Sequence, residues 1–125
     1  MIAPSGSTRS RGAHGECLAL DYLLTQGLQL VERNTHSPYG EIDIIMRDGE
    51  EWVFVEVRYR HTRDYGGGLE SVTRSKRRKL INTAEHYMQG HHKTHFDACR
   101  FDIIELGGNM NAPDINWIKD AFQAE

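Results

Sequence analysis

Residues 40–60, GEIDIIMRDGEEWVFVEVRYR, contain two apolar runs that flank Asp48-Gly49. Residues 41–47 and 52–60 are rich in β-branched and aromatic side chains, a composition that favours β-strands. An Asp-Gly pair between two such runs is the strongest short-range signal of a β-hairpin. The sequence therefore predicts that these two runs pair as antiparallel strands.

Acidic residues interrupt both apolar runs of this hairpin. Asp43 lies among three isoleucines, and Glu56 lies within VFVEV. A carboxylate in a core-like strand is costly unless something compensates its charge. Because side chains alternate along a strand, Asp43, Glu56 and Arg58 are predicted to share one face. A two-residue turn at Asp48-Gly49 would leave the two acids diagonal to each other. A four-residue loop from Asp48 to Glu51 would instead place them directly opposite each other, with β-carbons about 4.5–5.5 Å apart.

Two interpretations of this acidic pair follow from the spacing. Carboxylates this close repel each other unless a cation lies between them. Mg²⁺ binds a few carboxylates together with water, and it can activate a water molecule against a phosphodiester. In the alternative, Arg58 or Arg100 neutralises each acid within a structural network of ion pairs. The spacing leaves both interpretations open.

The flanking sequence predicts two helices and three further strands. Residues 15–26 carry apolar side chains at helical spacing, and residues 28–33 alternate as a short strand. Thr73 is the predicted N-cap of a second helix that runs to about residue 89. Strands at 99–106 and 115–118 complete the order α-β-β-β-α-β-β. A long helix between two strands implies a crossover, so we expect an α/β fold with a mixed β-sheet flanked by helices.

The length of 125 residues and the composition indicate a single domain. Residues 1–12 contain no apolar stretch typical of a signal peptide, and we expect a flexible leader there, followed by one domain at 13–125. No apolar run approaches the ~20 residues of a membrane span, which argues against a membrane protein. Cys17 and Cys99 form no close pair, which favours free thiols in a reducing, cytoplasmic compartment.

Basic residues are concentrated between Arg58 and Lys79. This segment holds eight Lys or Arg and two acids, so its charge is +6. Since the net charge of the chain is −3, the rest of the chain has a charge of −9. Such a stretch on an acidic body is typical of a phosphate-binding surface, and the helix that starts near Ser75 adds amide dipoles at its N-terminus. A solvated helix face is the alternative. The candidate nucleic-acid-binding residues are Arg60, Arg74, Lys76, Arg77 and Arg78.

Two other groups are assigned structural roles. His86, His91, His92 and His95 are loosely spaced and have no cysteine nearby, so we expect a loop over residues 90–95 rather than a zinc site. Asp102 shares a strand face with Arg100, and we expect an ion pair or a supporting role rather than metal ligation.

Three ordered motifs closely resemble those of the YraN family of small endonuclease-like proteins. They are GEIDII at 40–45, FVEVRYR at 54–60 and RFDII at 100–104, and Gly15-Glu16-x-x-Ala19, Lys76 and Ala121-Phe122 also fit. The likeness extends over residues 15–122. It implies a restriction-endonuclease-like fold related to archaeal Holliday-junction resolvases. By analogy with those resolvases, a homodimer is expected.

The resemblance also implies a set of site residues. Asp43 and Glu56 would bind Mg²⁺ (or Mn²⁺), with Glu16 as a third ligand. Arg58 would stand in the position of a catalytic lysine. Arginine stays protonated and cannot act as a base, but it can stabilise a charged phosphate. The expected function is a metal-dependent nuclease acting on DNA, including branched or structured forms. The alternatives are a catalytically inactive nucleic-acid-binding domain of this fold, or a partner protein in a DNA-processing assembly.

Overall fold

The computed structural model describes residues 8–60, 72–91, 98–109 and 111–123. Within these ranges, two helices and five strands follow one another in the predicted order, which confirms that order. The elements are α1 (Thr8–Thr25), β1 (Gln29–Ser37), β2 (Gly40–Asp48), β3 (Glu51–Tyr59), α2 (Arg74–His91), β4 (Cys99–Gly107) and β5 (Asp114–Phe122).

The five strands form one mixed sheet in the order β1-β2-β3-β4-β5. β3 and β4 run parallel, and the other neighbouring strands run antiparallel. Since α2 lies between β3 and β4 in the chain, it forms the crossover that a parallel pair requires. The predicted mixed sheet flanked by helices is therefore confirmed.

Each face of the sheet is covered by one helix. Val53 and Val55 on β3 belong to the core beneath α1, whereas Trp52 and Phe54 belong to the core beneath α2. All four side chains are buried. A strand at the centre of a sheet, covered on both faces, has no solvent-facing side. This explains why residues 52–55 of β3 are all apolar rather than alternating.

The hairpin and the start of α2 have the predicted local geometry. Asp48 pairs with Glu51 around a two-residue connection, in which Gly49 has a positive φ of 64°. Arg47 pairs with Trp52, so the strands have the register predicted for a loop from Asp48 to Glu51. At α2, the side-chain oxygen of Thr73 accepts the amide of Lys76 at 3.2 Å, which confirms the N-cap.

Several element bounds differ from the predicted ones. α1 begins at Thr8, so residues 8–12, predicted as part of a flexible leader, are helical. That turn carries no apolar periodicity, the signal on which the prediction relied. β1 continues to Ser37, and β5 spans nine residues rather than four. Residues 1–7 and 92–95 of the predicted leader and histidine-rich loop lie outside the described residues.

The ion pair predicted for Asp102 is confirmed. Arg100 Nε donates to Asp102 Oδ1 at 3.0 Å, and Arg100 also contacts Glu51 at 2.7 Å. Asp102 accepts two further hydrogen bonds, from Trp117 Nε1 and the Asp120 amide, both at 2.9 Å. The side chain is buried on the α1 side of the sheet and ties β4 to β5.

Both cysteines are free thiols, as predicted. In the part of the chain that the structure describes, neither helix combines the length and apolarity needed to cross a bilayer.

Candidate functional site

Asp43 and Glu56 meet where β2 and β3 separate. The ladder between these strands ends at Ile44 and Val55, and its register places Asp43 opposite Glu56 one residue further on. The Val57 amide donates to Asp43 Oδ2 at 2.8 Å, and a side-chain hydrogen bond joins the carboxyl groups of Asp43 and Glu56. The side chain of Asp43 thus replaces a backbone partner at the end of the ladder. The predicted pairing of the two acids is present in this geometry.

The alternation of side chains along β2 is irregular next to Asp43. Ile44 and Met46 pack beneath α1, but Ile42 and Ile45 both pack beneath α2. Strict alternation would place Ile42 on the α1 side. Counting residues along β2 therefore does not tell on which face of the sheet Asp43 lies. The hydrogen bonds of its carboxyl group define its position instead.

The acidic pair is largely withdrawn from water. Glu56 is only 6% exposed. The pKa of Asp43 is raised from its ordinary value of 3.8 to about 8, first by burial and next by the negative charge of Glu56. The hydrogen bond from Val57 opposes this rise without cancelling it. At neutral pH Asp43 therefore retains its proton, because burial and the adjacent charge of Glu56 both disfavour a second negative charge.

Lys76, from the first turn of α2, is the cation nearest to this pair. Its Nζ atom lies 2.7 Å from Glu56 Oε2, whereas Arg58 Nη1 lies 3.8 Å from the same oxygen. Lys76 was predicted to contact nucleic acid, with no assigned link to the acids. No spacing rule relates a residue in β3 to one twenty positions later in a helix, so only the packing of α2 reveals this contact.

Glu16 lies near the pair but does not complete a three-ligand site. Its carboxylate pairs with Arg33 at 3.8 Å. Its pKa is raised, mainly by burial, and its charge contributes to the raised pKa of Asp43. Among the described residues, no three His, Cys, Asp or Glu side chains are grouped closely enough to hold a metal ion. The structure thus brings Asp43 and Glu56 together, and Glu16 is near enough for its charge to act on Asp43.

The position of Glu16 depends on the glycine before it. A Cβ atom at Gly15 would overlap the hydroxyl group of Tyr59 on β3. Ala19, one helical turn further on, is fully buried. Small side chains at these two positions let α1 approach the sheet closely, which brings Glu16 toward the acids.

A cavity of about 300 Å³ opens onto the acidic pair. Its polar lining combines acids with cations from β3 and α2. The residues that line it are Gly40, Glu41, Asp43, Glu56, Val57, Arg58, Lys76, Lys79 and Leu80. A space with carboxylates on one side and ammonium or guanidinium groups on another can accommodate a cation together with an anionic group such as phosphate.

The other predicted nucleic-acid contacts fall into two places. Arg60 lies away from this cavity, where it pairs with buried Glu105 at 3.4 Å and approaches Asp114 at 3.9 Å. Arg74, Arg77 and Arg78 line a second cavity on α2. The five basic residues predicted as one surface are therefore divided among three environments.

Comparison with known proteins places this chain among bacterial relatives of the same size. A family profile described as "Uncharacterised protein family UPF0102" matches residues 15–106. A UPF0102 protein of Shewanella loihica is 47% identical over 114 residues, covering 90% of this chain and 94% of the relative. UPF0102 proteins of Stutzerimonas stutzeri and Legionella pneumophila are 44% and 45% identical, each covering 94% of this chain and 98% of the relative. The chain therefore belongs to the UPF0102 family, the YraN family whose motifs its sequence resembles.

Proposed function

We propose that this protein is a metal-dependent, nuclease-like protein that acts on the phosphodiester backbone of DNA. The observation that carries the proposal is the pairing of Asp43 with Glu56, largely withdrawn from water, with Lys76 2.7 Å from Glu56. A carboxyl pair in which one group has a raised pKa, together with a cation in the same cavity, is characteristic of sites that bind metal and phosphate.

The donor set of this pair fits a divalent cation such as Mg²⁺ or Mn²⁺. Mg²⁺ usually binds one or two carboxylates and fills its remaining positions with water and substrate phosphate, so a third acid is not required. A divalent cation would take the place of the shared proton and remove the repulsion between Asp43 and Glu56. When bound, such an ion polarises a phosphoryl oxygen and lowers the pKa of a water molecule.

The protein's own residues would hold the substrate and compensate its charge. Lys76 would donate to a non-bridging phosphate oxygen from the α2 side of the cavity. Arg58 would donate from β3 through its planar guanidinium group. Fixed cations at this position stabilise the negative charge that develops on phosphate during attack. Glu16 would act through its charge, since it favours a cation between Asp43 and Glu56.

Branched or structured DNA remains the proposed substrate class, as the resemblance implies. One observation favours the alternative of a binding domain without catalysis. Lys76 and Arg58 both approach Glu56, so this acid already has cationic partners without a metal ion. The two functions differ in what they require of Asp43. Among the described residues Asp43 forms no ion pair, and its ionisation would be costly without added positive charge.

Cleavage assays distinguish these functions. Linear, nicked and four-way DNA would be incubated with wild type, Asp43→Asn and the control Asp21→Asn, in Mg²⁺, Mn²⁺ or EDTA. Asp21 is an exposed acid on α1. We expect metal-dependent nicks with wild type and Asp21→Asn, and none with Asp43→Asn. DNA binding without cleavage by any of the proteins would instead support the binding domain.

A further inference from the structure

A second cavity, of about 560 Å³, lies between α2 and the end of β5. It shares no lining residue with the cavity at the acidic pair. Its polar and aromatic lining consists of Arg74, Arg77, Arg78, Asn82, Glu85, Phe122 and Gln123. We call it the α2–β5 groove.

The spacing of basic residues on α2 explains why there are two cavities. Residues three and four apart share a helix face, so Arg74, Arg77 and Arg78 lie together above Asn82 and Glu85. Lys76 and Lys79 line the cavity that contains the acidic pair. The first turns of α2 therefore direct lysines toward the acids and arginines toward the groove.

The charge of the groove suits an anion. Three arginines face one glutamate, which leaves an excess of two positive charges. Arg77 is held in place, because its Nε donates to the Val72 carbonyl at 2.9 Å and its guanidinium lies 5.9 Å from the centre of the Phe122 ring. Arg74 and Arg78 are exposed. Arginine binds phosphate oxygens through a planar fork, and it is less strongly hydrated than lysine.

The aromatic residue of the groove indicates which part of a nucleic acid would bind there. Phe122 is 9% exposed and stacks on Phe101 at a centroid distance of 4.9 Å, while Arg77 covers it from another direction. Binding of bases by stacking requires an aromatic face open to solvent. Among the described residues that line it, the groove therefore offers cations for phosphates and no exposed aromatic face for a base.

We propose that the α2–β5 groove is a second phosphate-binding site, which holds the backbone of a nucleic acid at a distance from the acidic pair. Identification of the anion as nucleic acid rests on the proposed function, but the groove itself does not depend on a metal ion. Binding there is independent of base sequence, since contacts to phosphate carry no sequence information.

The test uses the full chain and a double variant, Arg74→Ala with Arg78→Ala. Arg47→Ala with Lys119→Ala is the control, because it removes the same charge from side chains that lie over Trp52 and Trp117, outside the groove. Affinities for two short duplexes of unrelated sequence are measured by fluorescence anisotropy across a salt series. EDTA is present throughout, so neither metal binding nor cleavage contributes. Circular dichroism confirms that both variants are folded.

We expect the groove variant to bind both duplexes about tenfold more weakly, with a salt slope lower by about 2, since two phosphate contacts are lost. The control should lose less than about threefold. An equal loss in the control, an unchanged salt slope, or a loss confined to one duplex would overturn the proposal. Equal competition by an acidic peptide of the same charge would also overturn it. If the groove result holds while no DNA is cleaved in Mg²⁺, only the proposed function fails.

Discussion

Lys76 Nζ lies 2.7 Å from Glu56 Oε2, more than an ångström closer than Arg58 Nη1 on the acid's own strand. The lysine belongs to α2, the crossover helix that starts beyond the end of β3. The sequence pattern acid-x-Arg suggests that this site lacks a lysine. The fold supplies one from a different element, on the side of the sheet where Phe54 and Leu80 pack together.

The closeness of Lys76 predicts an unequal effect of the two cations on cleavage. Lys76→Met should lower the cleavage rate by about 10²-fold, the cost of removing one group that stabilises developing charge. Arg58→Lys keeps the charge and should stay within about tenfold of wild type. Single-turnover rates on the best DNA substrate measure both effects. Lys119→Met is the control, and a loss in Arg58→Lys as large as in Lys76→Met would refute the assignment.

The raised pKa of Asp43 predicts how stability depends on pH. The folded state holds this proton up to about pH 8, whereas the unfolded state loses it near 3.8. Folding is therefore penalised progressively as pH rises between these values. Each unit of pKa difference between the folded and unfolded states corresponds to about 1.36 kcal/mol of folding free energy. In EDTA we therefore expect Asp43→Asn to be more stable than wild type by about 2 kcal/mol at pH 8.

Urea denaturation at several pH values measures this difference between the two proteins. The advantage of Asp43→Asn should shrink as pH falls toward 4, where Asp43 is protonated in both states. A substitution that destabilises the protein equally at pH 4 and pH 8 would show that Asp43 acts only through its hydrogen bonds.

Gly15 is predicted to be intolerant of a side chain. Gly15→Ala places a Cβ against Tyr59 and should cost about 1–3 kcal/mol, as overpacked core positions do. Tyr59→Phe removes the nearest atom but leaves the ring Cζ 2.6 Å from the added Cβ. The double variant should therefore recover part of the loss, which a double-mutant cycle in urea measures. If the stability losses of the two single variants simply add in the double variant, the strain of Gly15→Ala does not come from Tyr59.

Asp102 should affect stability and leave the candidate site unchanged. Asp102→Ala would leave Arg100 Nε and the indole N–H of Trp117 without their acceptor, while Asp48 and Glu51 still pair with Arg100, so we expect a cost of about 1–3 kcal/mol. Denaturant midpoints measure this loss. Mn²⁺ affinity, measured on the protein that remains folded, should match wild type. A changed Mn²⁺ affinity with unchanged stability would mean that Asp102 belongs to the site.

Local signals in the sequence were sufficient for most of the fold. Asp-Gly between two apolar runs identified the central hairpin, and Thr73 identified the start of α2. β5 was predicted too short, because Asn116, Lys119 and Asp120 interrupt its apolar pattern. Asp120 has a positive φ of 50° and is held by the carboxylate of Asp102, a contact between strands that local sequence does not reveal.

The candidate site was predictable only where its residues share a hairpin. Asp43 and Glu56 are neighbours by the register of β2 and β3, which the turn sets. The contact of Lys76 with Glu56 depends on how α2 packs on the sheet, and so does the separation of Arg74 from Lys76. Arg60 was assigned to nucleic acid on its charge alone, but burial of Glu105 gives it a partner within the fold.

Calorimetric titration of Mn²⁺ tests the claim that Asp43 and Glu56 together bind one divalent cation. Titrations at pH 7 in buffers of different ionisation enthalpy also count the protons released. We expect one site per chain with release of about one proton at pH 7 and much less at pH 9, because Mn²⁺ displaces the proton that Asp43 holds. Asp43→Asn should abolish binding, and Asp21→Asn should preserve it. Equal Mn²⁺ binding by Asp43→Asn and wild type, or the absence of any binding to wild type, would contradict the claim.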